Sequence, residues 1–194
     1  MTRNIATSPS PDVGCNQFEH LKFETSVEIL GQIQNRQILY TNILTDQTWF
    51  EKLPTDNWVV FTIGDEKKAE FEAKLVSHCL DKNVCYACSA GQLAGSTELE
   101  FDLEIVNRAI ATEDSTGKEH DYEQSPCTTS HKNFSEGFWF AATLAHDPYK
   151  DLGKVVCTDF TTKGVKNNLK ELIEKINNGW LPTEEEVEEP KYDR

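Results

Sequence analysis

The chain has 194 residues and a formal net charge of −14, from 33 acidic and 19 basic side chains. This length suits one domain with a sizeable core. A surface this acidic repels nucleic-acid phosphates and anionic membranes, so we expect neither of them as a partner. The charge is compatible with simple solubility, with attraction of a basic partner, or with imitation of a polyanion.

A cytoplasmic location is predicted from the sequence. No apolar run is long enough to span a bilayer, and Met1–Gly14 lacks the apolar middle of a signal peptide. The chain has six cysteines. Within apolar periodic segments, reduced thiols act as small hydrophobic groups, and four of the cysteines lie in such segments: Cys79, Cys85, Cys88 and Cys157.

The N-terminal part is less regular than the rest of the chain. Residues 1–15 are predicted to form a disordered leader, because they are polar and carry two prolines. Residues 16–53 are predicted to form a small lobe packed on the main domain. Apolar residues between Phe18 and Ile33 fit a helix imperfectly, and Gln37–Leu44 fits a strand that follows a turn at Asn35 and Arg36.

The main domain, residues 54–181, repeats a strand and a helix four times. Trp58–Ile63 is an apolar run typical of a buried strand, which ends at Gly64 and Asp65 before a helix over Glu66–Asp81. The second strand is predicted at Val84–Ala90. The helix after it is opened by a capping box of Thr97 and Glu100, and its apolar face consists of Leu99, Leu103, Val106 and Ile110. The remaining predicted elements are, in order, a polar loop at Ala111–Gln124, a strand at Ser125–Ser130, a helix capped by Asn133 and Glu136, a strand at Lys154–Phe160 and a helix over Val165–Ile176. Residues 182–194 are predicted to be an acidic disordered tail.

This alternation predicts an α/β fold with an open parallel sheet of about four strands and helices on both faces, similar to flavodoxin or Rossmann folds. The preferred strand order is 2-1-3-4, counting from Trp58–Ile63. That order makes Trp58–Ile63 the central strand.

In open parallel sheets, ligands bind beyond the carboxyl ends of the strands, where the strand order reverses. The 2-1-3-4 order places Asp65 and His131 on either side of one crevice, with Asp159 on the neighbouring strand. His131 is then a candidate catalytic acid or base oriented by Asp65 or Asp159, with Ser89 as a candidate nucleophile. The alternatives are that His131 only caps a helix or bonds a loop, and that Asp65 is the N-cap of the helix at Glu66. Ser89 also lacks the Gly-x-Ser-x-Gly sequence of a nucleophile elbow.

Other motifs indicate no cofactor class. The loop Gly91–Thr97 lacks the spacing and lysine of a phosphate loop, although free N–H groups at the following helix start could hold an anion. Cys85 and Cys88 have redox-pair spacing but lie in an apolar strand, where we expect them on opposite faces, so core packing is favoured over a disulfide or metal. The histidines show no ligand spacing, and no metal site is predicted.

Eight carboxylates between the second and third strands are predicted to form an acidic surface. Its interpretations are a cation site, a face for a basic partner, or a solvated helix face. The residues are Glu98, Glu100, Asp102, Glu104, Glu113, Asp114, Glu119 and Asp121.

Several short motifs together resemble a family of small uncharacterised bacterial α/β domains, over roughly Pro54–Asn178. The motifs are Leu53-Pro54-x-Asp56-x-Trp58-Val59, Val84-Cys85-Tyr86-Ala87-Cys88, and Thr128-Thr129-x-His131 followed by Glu136 and Trp139-Phe140. The resemblance supports the predicted strands and helices and singles out His131, but it implies no activity.

Three functions follow as hypotheses. The first is a non-catalytic module that binds a basic protein or a small ligand. The second is a small hydrolase or transferase that uses His131 at the strand ends. The third is an acidic inhibitor or immunity-type protein whose charge imitates nucleic acid. The sequence indicates no oligomeric state.

Overall fold

Strand β3, Trp58–Gly64, is buried along its whole length in the computed structural model, which describes residues 27–183. Val59, Phe61 and Ile63 pack into the core on one face of the sheet, while Trp58 and Val60 pack into the core on the other. Because alternate side chains of a strand point to opposite faces, burial on both sides requires an unbroken apolar run.

Within residues 27–183 the sheet has six strands, in the order β1-β2-β6-β3-β4-β5. Strands β2 to β6 are parallel to their neighbours, and β1 is an antiparallel edge strand paired with β2. The remaining strands are β1 at Glu28–Ile33, β2 at Arg36–Asn42, β4 at Tyr86–Gly91, β5 at Cys127–His131 and β6 at Lys154–Phe160.

The predicted 2-1-3-4 order is wrong. Strand β3 lies between β4 and β6, and β5 lies at the edge beyond β4. The chain runs outward through β3, β4 and β5, and then returns across the sheet to form β6 on the other side of β3. The strand order therefore reverses between β3 and β6, a detail that hydrophobic periodicity does not encode.

Four α-helices in the described part of the chain cover the two faces of the sheet. They are α1 at Glu72–Asp81, α2 at Ala94–Thr116, α3 at Phe134–Thr143 and α4 at Lys166–Asn177. Helices α1 and α2 supply buried side chains to one core, including Leu75 and Phe101. Helices α3 and α4 supply the other core, including Phe138 and Leu169. No helix between residues 27 and 183 has the length and apolar character needed to cross a membrane.

Residues from Glu28 onward in the predicted N-terminal lobe contribute β1 and β2 to the sheet. The imperfect helical spacing before Ile33 does not give a helix in the described residues, because Glu28–Ile33 forms β1 and turns into β2 through Gln34 and Asn35, with a φ of 52° at Gln34. The predicted leader at 1–15, the lobe as far as residue 26 and the tail from residue 184 lie outside the described residues.

Helix α2 starts earlier and ends later than the sequence predicts. Thr97 is buried within the helix rather than capping it, and the helix continues to Thr116, where Gly117 adopts a φ of 67°. The predicted capping box is therefore wrong, and the polar loop that follows is shorter than expected.

Candidate functional site

Asp65 and Asp159 lie on neighbouring strands at the point where the strand order reverses. Ile63 of β3 pairs with Asp159 of β6, and Asp65 directly follows β3. Asp65 Oδ2 accepts hydrogen bonds from both the backbone N–H and the Oγ1 hydroxyl of Thr162, each at 2.8 Å, and these bonds lower the pKa of Asp65. Asp65 Oδ1 accepts from the Lys67 N–H, so Asp65 also caps the 3₁₀ helix at Glu66–Phe71.

Asp159 is fully buried, and its carboxylate accepts hydrogen bonds from the loop that follows β6. Its Oδ1 accepts from the N–H of Thr161 at 2.9 Å and from the Thr161 hydroxyl at 2.8 Å. Its Oδ2 accepts from the N–H of Val165 at 2.8 Å and from the Tyr40 hydroxyl at 2.7 Å. Burial and the adjacent Asp159 raise the pKa of Tyr40, which keeps this hydroxyl a donor. Asp159 therefore stabilises the loop rather than presenting a carboxylate to a crevice.

Phe160 packs over the end of β3. A Cβ atom on Gly64 would lie 2.1 Å, 2.3 Å and 2.7 Å from atoms of the Phe160 ring. Gly64 is thus required for the ring to cover the strand end. The ring belongs to the core on the face covered by α1 and α2.

Gly64→Ala is expected to lower the free energy of unfolding by about 1–3 kcal/mol, because the new methyl group overlaps a fully buried ring. Urea denaturation of the single variant and of Gly64→Ala with Phe160→Leu measures this. The double variant should lose less than the sum of the two single changes, since the smaller leucine makes room. Strict additivity would contradict the contact.

His131 does not share this crevice. It ends β5, and β4 lies between β5 and β3, so two strand spacings of about 5 Å each separate the strand of His131 from that of Asp65. Ser89 is buried on β4 and accepts a hydrogen bond from the Thr62 hydroxyl at 2.9 Å. Ser89 and Ala90 are consecutive on β4, and Ala90 pairs with His131. Ser89 therefore faces the opposite side of the sheet from His131. The structure places Asp65 and Asp159 at the ends of neighbouring strands but places neither them nor Ser89 beside His131.

The partners of His131 are Glu136 and Thr129. The Nδ1 atom lies 2.6 Å from Glu136 Oε2, and the Nε2 atom lies 3.1 Å from Thr129 Oγ1. The side chains of His131 and Glu136 are only 10% and 12% exposed. The ring of Phe140 lies beside the imidazole, with ring centroids 4.9 Å apart.

Helix α3 holds Glu136 against His131. Asn133 Oδ1 caps the helix by accepting from the N–H groups of Ser135 and Glu136, as the sequence pattern predicts. The helix lies very close to β5, because a Cβ on Gly137 would be 2.8 Å from the His131 Cβ. The capping pattern identified Glu136, but it gave no signal that the carboxylate reaches His131.

Alternation along β5 divides its hydroxyl groups between the two faces of the sheet. Thr128 donates to Asp102 at 2.7 Å and Ser130 to Glu98 at 2.5 Å, both on α2. Thr129 faces α3, on the same side of the sheet as Tyr86 and Cys88 of β4. Burial raises the pKa of Tyr86 to about 12, so its hydroxyl keeps its proton at neutral pH. Sequence reasoning gave Thr129 no role of its own, although its spacing of two residues from His131 on a strand places both on one face.

Helix α2 turns its apolar face to solvent. Leu99, Leu103, Val106 and Ile110 share one face, as predicted, yet they are 57%, 51%, 42% and 49% exposed. Phe101, which the periodicity did not select, is fully buried instead. We call the four exposed residues the α2 stripe.

Carboxylates border the α2 stripe on both sides. At 100° per residue, Glu100 and Asp114 lie along one border and Asp102 and Glu113 along the other. The helix has one basic residue, Arg108, which lies opposite the stripe and bonds Glu104 and Asp81 at 2.8 Å each. Four of the eight carboxylates that the sequence predicts as an acidic surface therefore border an exposed apolar patch.

The Glu72 carboxylate forms hydrogen bonds with the first turn of α2. Glu72 Oε1 accepts from the hydroxyls of Ser96 at 2.8 Å and Thr97 at 2.7 Å. The anion site considered for this helix start thus has Glu72 beside it.

Cys85 and Cys88 both belong to one core cluster, so the expectation that they face opposite sides is wrong. Cys85 precedes the first residue of β4 and does not follow the alternation of the strand. Both thiols are free, and burial raises the pKa of Cys88 to about 12, which disfavours the reactive thiolate.

Within residues 27–183, no group of three acidic, histidine or cysteine side chains is placed to hold a metal ion.

A family model described as "Domain of unknown function (DUF7684)" matches residues 38–176. The resemblance to an uncharacterised domain family is thereby confirmed, and the match extends back into β2. No curated protein and no solved structure matches the chain.

Proposed function

Because the chain belongs to this domain family of unknown function, and the family description names no activity, we propose from the geometry alone that it is a binding module whose α2 stripe receives a basic amphipathic helix of a partner protein. The observation that carries the proposal is the exposure of four large apolar side chains in one row on α2. Exposed contiguous apolar surface rimmed by polar residues is typical of protein interaction sites.

The spacing of the α2 stripe suits a helical partner. Intervals of four, three and four residues between Leu99, Leu103, Val106 and Ile110 follow the pattern of a helix seam. The row spans 11 residue steps, which is about 16 Å along the helix axis. A partner helix of about three turns would cover it.

The charges around the stripe favour a basic partner over a second copy of this chain. Helix α2 carries six carboxylates and one arginine. Two such helices side by side would oppose carboxylate to carboxylate, whereas lysines or arginines flanking an apolar seam would complement the borders. The overall charge of −14 strengthens the same preference.

The test uses a synthetic helical peptide of leucine and lysine, with leucines at seam spacing, and the matched leucine and glutamate peptide as its counterpart. We expect the lysine peptide alone to bind in calorimetry, with weaker binding at high salt. Leu103→Ser with Val106→Ser should weaken the binding at least about tenfold, because the seam loses its apolar centre.

Leu144→Ser is the matched control, because Leu144 is 47% exposed and lies just after α3. It should bind the lysine peptide like the unaltered protein. Equal binding by the stripe variant and the control would contradict the proposal, as would a dimer in sedimentation equilibrium that Leu103→Ser dissociates.

A further inference from the structure

We propose that Thr129, His131 and Glu136 form an acyl-transfer site, in which the Thr129 hydroxyl attacks neutral esters of short acyl groups. The proposal is independent of partner binding at the α2 stripe. It rests on the order of contacts, in which a hydroxyl meets one imidazole nitrogen and a carboxylate meets the other. Hydrolytic triads on unrelated folds share this arrangement.

The tautomer of His131 follows from its partners. An ionised carboxylate only accepts hydrogen bonds, so Nδ1 donates its proton to Glu136 at 2.6 Å. In the neutral imidazole with this tautomer, the Nε2 atom is the acceptor for the Thr129 hydroxyl at 3.1 Å. Glu136 therefore acts as a positioning residue, and His131 acts as the base.

The reaction balances without a cofactor. The Thr129 oxygen bonds to the ester carbonyl carbon, and its proton passes to His131 Nε2. The bond from that carbon to the leaving oxygen then breaks, the leaving group takes the proton, and the acyl group stays on Thr129. Water repeats the sequence, releases the carboxylic acid and returns the proton to Thr129.

Neighbouring groups suit a developing negative charge and a small apolar acyl group. Tyr86, whose hydroxyl is protonated at neutral pH, lies on the same face of the sheet as Thr129 and supplies a hydrogen-bond donor on that face. The half-buried ring of Phe140 lies next to His131 and offers an apolar surface.

The Thr129 side chain is open to solvent in part. Within the described sheet, β5 has a strand neighbour on one side only, and Thr129 is partly exposed. Glu98 and Asp102 lie across β5, bonded to Ser130 and Thr128, so an anionic substrate would be repelled. The site thus favours neutral esters.

The test uses p-nitrophenyl acetate with the full chain. Nitrophenolate release should exceed the buffer rate, and peptide mass spectrometry should find the acetyl group on Thr129. Thr129→Ala and His131→Gln should each lower the rate above buffer at least about tenfold. Glu136→Gln should lower the maximal rate while leaving the half-saturating ester concentration unchanged, which a purely structural contact would not do.

Thr128→Ala is the matched control. Thr128 is the adjacent threonine on the same strand and bonds a carboxylate on the opposite face. It should keep the full rate, and circular dichroism checks that each variant is folded. Thr129→Ser should also become acetylated at residue 129, which keeps the test valid if the alanine variant unfolds. An acetyl group found only on lysines, or equal rates for the Thr129→Ala and Thr128→Ala variants, would overturn the proposal.

Discussion

Asp159→Ala is expected to lower the free energy of unfolding by about 3–5 kcal/mol. The carboxylate is fully buried and accepts four hydrogen bonds, from Thr161, Val165 and Tyr40. Removal leaves four donors without their partner, and hydrogen bonds to a charged group are worth more than neutral ones. Chemical denaturation followed by Trp fluorescence measures the loss.

Asp159→Asn should lower the free energy of unfolding nearly as much as Asp159→Ala. Each carboxylate oxygen accepts one backbone N–H, from Thr161 on Oδ1 and from Val165 on Oδ2. In either orientation of the asparagine amide, its NH₂ group faces a backbone N–H. Two donors cannot form a hydrogen bond, so one backbone N–H loses its acceptor. Asp56→Asn, at an exposed position, should leave the denaturation midpoint unchanged. An Asp159→Asn variant as stable as the unaltered protein would refute this hydrogen-bonding scheme.

Phe101→Ala is expected to cost about 3–5 kcal/mol of unfolding free energy, whereas Leu103→Ala should cost less than about 0.5 kcal/mol. The two positions are two residues apart on α2, yet Phe101 is fully buried and Leu103 is 51% exposed. Loss of the buried ring leaves a cavity between α2 and the sheet, while loss of Leu103 removes a side chain that is already half in water.

Thermal and urea denaturation of the two variants measure which face of α2 packs on the sheet. Similar losses at both positions would show that the helix is rotated from the orientation described. They would also remove the basis for partner binding at the α2 stripe, because its residues would be in the core.

Local patterns predicted the elements better than their arrangement. The strand at Lys154–Phe160 matches β6 residue for residue, and Asn133 caps α3 as its sequence pattern indicates. Strand order depends on contacts between residues far apart in sequence, so periodicity could not place β6 beside β3. The turn at Gln34 is likewise set by pairing with β2, which overrides the imperfect helical spacing before Ile33.

For the candidate sites too, local sequence patterns identified residues but not their partners in the fold. His131 was identified from its position at the end of a strand, but the choice of Asp65 or Asp159 as its partner depended on an incorrect strand order. Its observed partner, Glu136, lies five residues along the chain and reaches it because Gly137 lets α3 approach β5. On α2, apolar periodicity identified a real face, and only the tertiary structure shows that this face is outside.

The central position of β6 has a consequence for how the chain folds. Strands β2 and β3 both pair with β6 along its length, although β6 comes last in sequence among the described strands. Until residues 154–160 are synthesised, β2 and β3 have no shared neighbour, and each presents an unpaired edge that can associate with other chains. Completion of the sheet therefore depends on contacts that span more than a hundred residues, which slows folding and exposes the nascent chain to aggregation.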